Sequence, residues 1–282
     1  MRKFFVIFLV AVMALGGATV TAFAEVLEVA EEKAEVEVPV IMYHLITDRS
    51  KYIGKYGILP ADLEADLAYL KENGYTTIVV QDLQNFVEGK AELPAKPIML
   101  TFDDGNTGDY DYLLPLLKQY DMKAVVAFIG SAADKYTPLA EKNPKAKYPN
   151  MTWGQIRELH ESGHVEIQSH SYDLHGKNGS GKRKNESPEA YHARLLADLK
   201  KFQDACKENL DYEPTAFIYP LGVVSDGSRQ VLEELGMVAS FSCEEGMNFI
   251  SPEDKLFKLK RVNRPSKRSV SDILGHLREK KP

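Results

Sequence analysis

Apolar and polar positions along this chain follow two periods in turn. Apolar runs of five to eight residues occur at 39–46 (PVIMYHLI), 76–80 (TTIVV), 97–102 (PIMLTF), 123–130 (KAVVAFIG), 164–170 (HVEIQSH), 215–220 (TAFIYP), 237–243 (MVASFSC) and 256–262 (LFKLKRV). Their length and their β-branched and aromatic content predict buried strands. Between them the spacing is helical, at 60–75, 82–89, 107–120, 152–163, 188–209, 226–236 and 270–278. In the first of these Leu63, Leu67 and Leu70 share a face, Pro60 suits the opening turn and Gly74 the stop. Thr152 is placed to cap the helix that follows it. Residues 131–150 show neither period and read as irregular.

Alternation of strand and helix on this scale predicts an α/β fold with a mainly parallel sheet. The number and spacing of the runs favour a (β/α) barrel of about seven strands over an open sheet. No glycine-rich phosphate loop follows the first strand, which weighs against a dinucleotide fold. In a barrel, functional groups belong at the C-terminal ends of strands.

Composition changes this picture little. The 282 residues are 44% hydrophobic and 27% charged, with a net charge of −6, which argues against nucleic acid as a partner. The start of the chain is a different matter. Arg2 and Lys3 precede an apolar run from Phe4 to Leu15, and small residues lead to AFA at 22–24. This is the layout of a secretory signal peptide cleaved after Ala24, and the run is short beside the roughly 20 residues of a membrane span. Residues 1–24 are therefore read as signal peptide, 25–38 as an acidic solvated linker and 39–282 as one domain. A secreted or cell-surface location follows, with no transmembrane segment after cleavage, and a monomer is expected. Cys206 and Cys243 are read as free thiols, and two cysteines do not form a thiolate zinc site.

The chemistry collects at the strand ends. The 39–46 run carries Tyr43 and His44, and the 97–102 run leads into Asp103, Asp104 and Gly105. The 164–170 run closes on Ser169 and His170, with His175 five residues on, and the 215–220 run on Tyr219 and Pro220. One carboxylate and two imidazoles suit a divalent transition metal, which leaves the other carboxylate as a general base. Each feature alone has a plainer use: an Asp-Asp-Gly turn, a solvated histidine loop, a core histidine. Their convergence on one rim favours metal-assisted hydrolysis. The basic loop 176–187 reads as a flexible solvated segment, with contact to a polymer as its alternative.

The run TFDDG at 101–105 resembles the first signature of the NodB-homology polysaccharide deacetylases, carbohydrate esterase family 4. The resemblance implies that Asp103 is the catalytic base and Asp104 a metal ligand. HSYDLH at 170–175 resembles the family's histidine signature with one residue more between the histidines, which implies His170 and His175 as the other ligands. That spacing, with IMYH at 41–44, is similar to the branch that deacetylates poly-N-acetylglucosamine, and by that likeness His44 is the general acid. FIYPLG at 217–222 stands where the family has an Arg and a Pro-aromatic-Gly step, but the Arg position holds Ile218. Arg261 or Arg264 is a substitute partner for the base. The resemblance further implies a distorted barrel, Zn²⁺ (or Co²⁺, Ni²⁺ or Fe²⁺) as cofactor, and an N-acetylated polysaccharide as substrate. The backbone N–H of Leu221 is expected at the oxyanion, and Tyr219 and Tyr43 against the sugar. Peptidoglycan, chitin oligomers and acetylated xylan are alternative substrates. A metal-free glycosidase fits adjacent aspartates poorly. An iron oxygenase leaves Asp103 without work, and a mere carbohydrate-binding protein needs no base beside a metal.

Overall fold

The apolar runs pair with one another in parallel over almost the whole chain. The computed structural model describes residues 35–279, so the signal-peptide reading and the first part of the linker lie outside the described residues. The strands are β1 (Val36–Val38), β2 (Val40–Tyr43), β3 (Leu45–Ile46), β4 (Gly57–Ile58), β5 (Thr76–Ile78), β6 (Pro97–Phe102) and β7 (Ala124–Phe128). They continue with β8 (Val165–Ser169), β9 (Ala216–Ile218), β10 (Ala239–Phe241), β11 (Asn248–Ile250), β12 (Leu256–Leu259) and β13 (Val262–Asn263). The helices are α1 (Pro60–Glu72), α2 (Val80–Val87), α3 (Leu114–Tyr120), α4 (Gly130–Lys142), α5 (Trp153–Glu161), α6 (Pro188–Leu210), α7 (Ser228–Glu234) and α8 (Val270–Glu279).

Nine strands form the main sheet in the order β12-β10-β9-β8-β7-β6-β2-β13, with β5 on β6, and every pairing is parallel. This is a distorted (β/α) barrel, with two strands more than the sequence suggested. β12 and β13 lie at opposite ends of that order, yet only Lys260 and Arg261 separate them in the chain. The chain itself thus draws the two sheet edges together across a seam, and Arg261 sits in it. β6 and β7 are buried at every position, as strands covered on both faces must be. Among the described residues no helix is long and apolar enough to cross a membrane.

The departures from the sequence reading are local and have causes. The expected 39–46 strand breaks between β2 and β3, and His44 occupies the break. The expected 256–262 strand breaks around Arg261 in the same way. Residues 36–38 are not solvated linker. Val36 and Val38 alternate with Glu37, and the three pair antiparallel with β11. The stretch read as irregular contains α4, whose Gly130 and internal Pro138 masked the helical period. The expected 107–120 helix opens as a π-helical turn, Asp109–Leu113, before α3 begins.

Candidate active site

Backbone strain marks the turns where the site is built. Asp104 (φ 74°), Ser171 (φ 74°) and Leu221 (φ 58°) are all left-handed, and they follow β6, β8 and β9. Such residues cost on the order of 1–3 kcal/mol each and persist only where the surroundings enforce them. After β6 the enforcement is visible. The Asn150 amide donates to the Asp104 carbonyl at 3.0 Å, Met151 N–H to the Gly105 carbonyl at 3.0 Å, and Thr107 N–H to the Pro149 carbonyl at 3.0 Å. Gly105 has φ 69°, and a Cβ there would stand 2.4 Å from that of Phe128, so glycine is required on both counts.

Asp103 is 2% exposed and is gripped by the fully buried Arg261. The guanidinium donates from Nη1 to Oδ1 at 2.7 Å and from Nη2 to Oδ2 at 2.9 Å. A planar fork on a carboxylate is the strongest form of this pair. Burial would raise the Asp103 carboxyl, but Arg261, joined by His170 and His44, holds the group below its ordinary value. Arg261 is itself fixed, donating to the Ser242 carbonyl at 2.9 Å and the Thr101 hydroxyl at 3.1 Å. Arg264, the other candidate partner, is committed elsewhere, to Asp66 at 2.7 and 3.1 Å.

Beside this pair, Asp104, His170 and His175 bring one ligand atom each to within 4.8 Å of one another, the only such cluster among the described residues. His175 Nε2 stands 3.0 Å and His170 Nε2 3.5 Å from Asp104 Oδ1, yet this buried oxygen has no hydrogen-bond partner. Three ligand atoms this close together can hold one metal ion. His170 Nδ1 lies 2.9 Å from the Ile218 carbonyl, which fixes the ring and leaves Nε2 facing the cluster. Burial would raise Asp104, but the facing His170 and His175 hold it far below the usual carboxylate range. The Asp104 carboxylate in turn raises His175 against the effect of burial.

The histidines are placed from behind by α6. Both carboxylate oxygens of Asp198 accept from the loop, at 2.8 Å from Tyr172 N–H and 2.9 Å from Asp173 N–H. The Ser171 hydroxyl accepts from Leu174 N–H at 2.9 Å, so Leu174 turns inward, 9% exposed, and the fifth residue brings His175 to the metal point. His44 Nε2 lies 3.9 Å from Asp103 Oδ2, across the mouth. Burial lowers this ring below its ordinary value, partly opposed by Asp103 and Asp104.

These residues line one cavity of about 810 Å³, with Leu221, Cys243, Tyr52, Tyr56 and Asn106 in its walls. Leu221 is at the rim, 53% exposed. Tyr43 and Tyr219, expected against the sugar, are not there. Tyr43 is 1% exposed, stacks on Phe102 and donates to Asp66 Oδ2 at 3.1 Å. Tyr219 is as deeply buried, with its hydroxyl 2.8 Å from Ser228 Oγ. Tyr43 is the last residue of β2 and Tyr219 the first after β9, and both turn into the core rather than toward the mouth. The aromatic residues at the cavity are Tyr52 and Tyr56, from a loop with no strand or helix period to announce it. Asp109 also went unnoticed. It is fully buried with neither carboxylate oxygen bonded, and burial, then Asp104 and Asp103, push it well above the usual range. Loop 176–187 is not free in solvent. Ser180 is fully buried, Lys182 N–H donates to Ser225 Oγ at 2.9 Å, and Arg194 binds both Glu186 and the Gly181 carbonyl. Cys206 and Cys243 are free thiols.

The profile of the family described as polysaccharide deacetylase matches residues 90–240, which contain both aspartates and both histidines. The chain belongs to this family. Poly-beta-1,6-N-acetyl-D-glucosamine N-deacetylase of Escherichia coli K12 is 26% identical over 263 residues, which cover 86% of this chain and 39% of that protein. The chain thus spans about two fifths of the length of the E. coli relatives it matches. Among solved structures, a de-N-acetylase from Aggregatibacter actinomycetemcomitans superposes with a TM-score of 0.73 at 25% identity, covering 86% of this chain and all of that one. The BpsB deacetylase domain from Bordetella bronchiseptica gives 0.67 at 25% identity, over 82% of this chain and 96% of that one. The family therefore accounts for the fold and for the expected NodB-type likeness.

Proposed function

We propose that this chain is a secreted, metal-dependent hydrolase that removes N-acetyl groups from poly-N-acetylglucosamine. The observation that carries the reading is the pairing of an Arg261-held Asp103 with the Asp104, His170 and His175 cluster, beneath His44. The substrate class rests on the relatives named for that polymer and on the longer histidine spacing. Secretion rests on the signal-peptide pattern of residues 1–24.

Asp104, His170 and His175 would hold the metal, for which zinc is the first choice given the donor set. When bound, the metal polarises the acetyl carbonyl and lowers the pKa of a coordinated water toward about 7. Asp103, kept ionised by Arg261, accepts the proton of the attacking water. The water oxygen bonds to the acetyl carbon, the C–N bond breaks, and the products are acetate and a glucosamine unit. His44 delivers the proton that the departing nitrogen needs. Its 3.9 Å approach to Asp103 gives the proton taken from water a route to the amine. The Leu221 N–H is the proposed donor to the developing oxyanion, supported by the place of Leu221 in the cavity wall and its left-handed backbone.

Three variants test the division of labour. Asp103→Asn and His44→Ala should each lose acetate release by about 10²-fold or more and keep their metal content. Asp104→Ala should lose the metal itself. Wild-type turnover in Asp103→Asn would sink the role given to the base.

A further inference from the structure

His44 has a nitrogen with no partner. Its Nε2 faces Asp103 at 3.9 Å, but its Nδ1 is buried and bonds nothing among the described residues. An imidazole that moves a proton or binds a metal is ordinarily aimed by a hydrogen bond at its second nitrogen. His170 is aimed in that way by the Ile218 carbonyl. His44 has no such bond, and it stands in the break between β2 and β3, where no strand continues through it. Something else must set its ring.

The ring it touches is that of Tyr56. The two centroids lie 4.8 Å apart with the planes tilted by 56°, a separation at which aromatic rings attract. The backbone brings them together. β3 pairs in parallel with β4, with Leu45 opposite Gly57. The residues one step earlier, His44 and Tyr56, therefore become neighbours on the same side. Leu45 N–H donates to the Tyr56 carbonyl at 2.9 Å, which ties the residue after the imidazole to the tyrosine itself.

The tyrosine is pinned in turn. The Asn263 amide donates to the Lys55 carbonyl at 2.8 Å, and Gly54 N–H to the Gly57 carbonyl at 2.9 Å. A Cβ at Gly57 would stand 2.0 Å from the Tyr52 carbonyl oxygen, so this tight approach needs glycine. The Lys55 ammonium lies 4.8 Å from the centre of the Tyr56 ring. Tyr56 is nonetheless 50% exposed, so packing of the core does not account for an aromatic held this firmly. We propose that Tyr56 is the positioning residue for His44, its ring holding the imidazole toward Asp103 in place of the hydrogen bond that Nδ1 lacks. The inference rests on the deacetylase reading above and adds to it the means by which the proton donor is aimed.

The test is steady-state kinetics of acetate release from an N-acetylglucosamine oligomer by the metal-loaded chain. Tyr56→Ala should lower kcat by about tenfold or more, because a misplaced proton donor slows the chemistry. KM should stay within about twofold, because binding is not what is lost. Metal content should be unchanged. Tyr56→Phe, which keeps the ring, should recover kcat to within about threefold of the wild type. In a His44→Ala background, Tyr56→Ala should cost less than about twofold, since nothing remains to be aimed. A loss confined to KM would make Tyr56 a sugar contact and overturn the inference. Wild-type kcat in Tyr56→Ala, losses that multiply in the double variant, or a Tyr56→Phe as slow as Tyr56→Ala would each overturn it too. All of these leave the deacetylase reading standing. No acetate from the wild type overturns that reading, and this inference with it.

Discussion

Asp103 and Arg261 form the pair on which the residue-scale chemistry turns. Arg261 is the largest fully buried side chain among the described residues, and its two bonds to Asp103, with His170 and His44 nearby, hold that carboxylate low against burial. Lysine cannot reproduce the fork. Arg261→Lys should therefore lower kcat/KM by about 10²-fold, the lower bound of a general base's worth. The pH profile carries a sharper sign. In the proposed mechanism the active Asp103 is the ionised form, so activity should be present above its pKa and lost as pH falls through it. Arg261 lowers that pKa, so weakening the grip moves the acid limb of kcat/KM to higher pH. An acid limb unmoved in Arg261→Lys would show that another group governs it. Most of this site was legible in the sequence, because TFDDG and HSYDLH are local strings and His44 ends a strand. Arg261 was legible only as one of two candidates, beside Arg264, because its partner lies 158 positions away and no motif surrounds it. Tyr43 and Tyr219 were misplaced because a residue at or just past a strand end can turn into the core as readily as toward the mouth, and nothing local in the sequence decides which.

At the scale of elements, the site depends on turns that the strands cannot hold alone. The loop from His170 to His175 leans on Asp198, which comes from α6, and a helix face gives no sign of such a duty. Asp198→Ala should weaken metal binding by about 10–100-fold, as loss of a supporting partner does elsewhere, measured by competition with a chelator. Unchanged affinity would mean that Ser171 and the strand suffice. The turn after β6 is tighter still. Gly105→Ala must accept a left-handed alanine and a 2.4 Å clash with Phe128 Cβ. It should destabilise the fold by about 1–3 kcal/mol or more, read as a fall in the urea midpoint. The helix and strand periods were clear wherever elements were long. They failed at α4, where Gly130 and Pro138 interrupt the pattern, and at the breaks after Tyr43 and Leu259. Those two breaks are where His44 and Arg261 leave the sheet, so the irregularities and the chemistry coincide.

For the whole molecule, Arg261 links strand ends across the seam, and Asp104, His170 and His175 converge at the mouth. Ligands from the ends of β6 and β8 and the loop beyond would be tied by one ion. Metal that binds only the folded chain should stabilise it by about 2.7 kcal/mol at a hundredfold excess over Kd. At about 2–4 °C per kcal/mol for a domain of this size, Tm should rise visibly on metal addition and fall on chelation. The same shift should be absent in Asp104→Ala. The measurement that tests the central claim most directly is acetate release from N-acetylglucosamine oligomers by residues 25–282, after chelation and again after Zn²⁺, Co²⁺ or Ni²⁺ is returned. Acetate that disappears with chelator and reappears with metal is the predicted result. Acetate release that continues undiminished in the metal-free chain, or none with any metal on any acetylated polymer, would contradict a metal-dependent deacetylase.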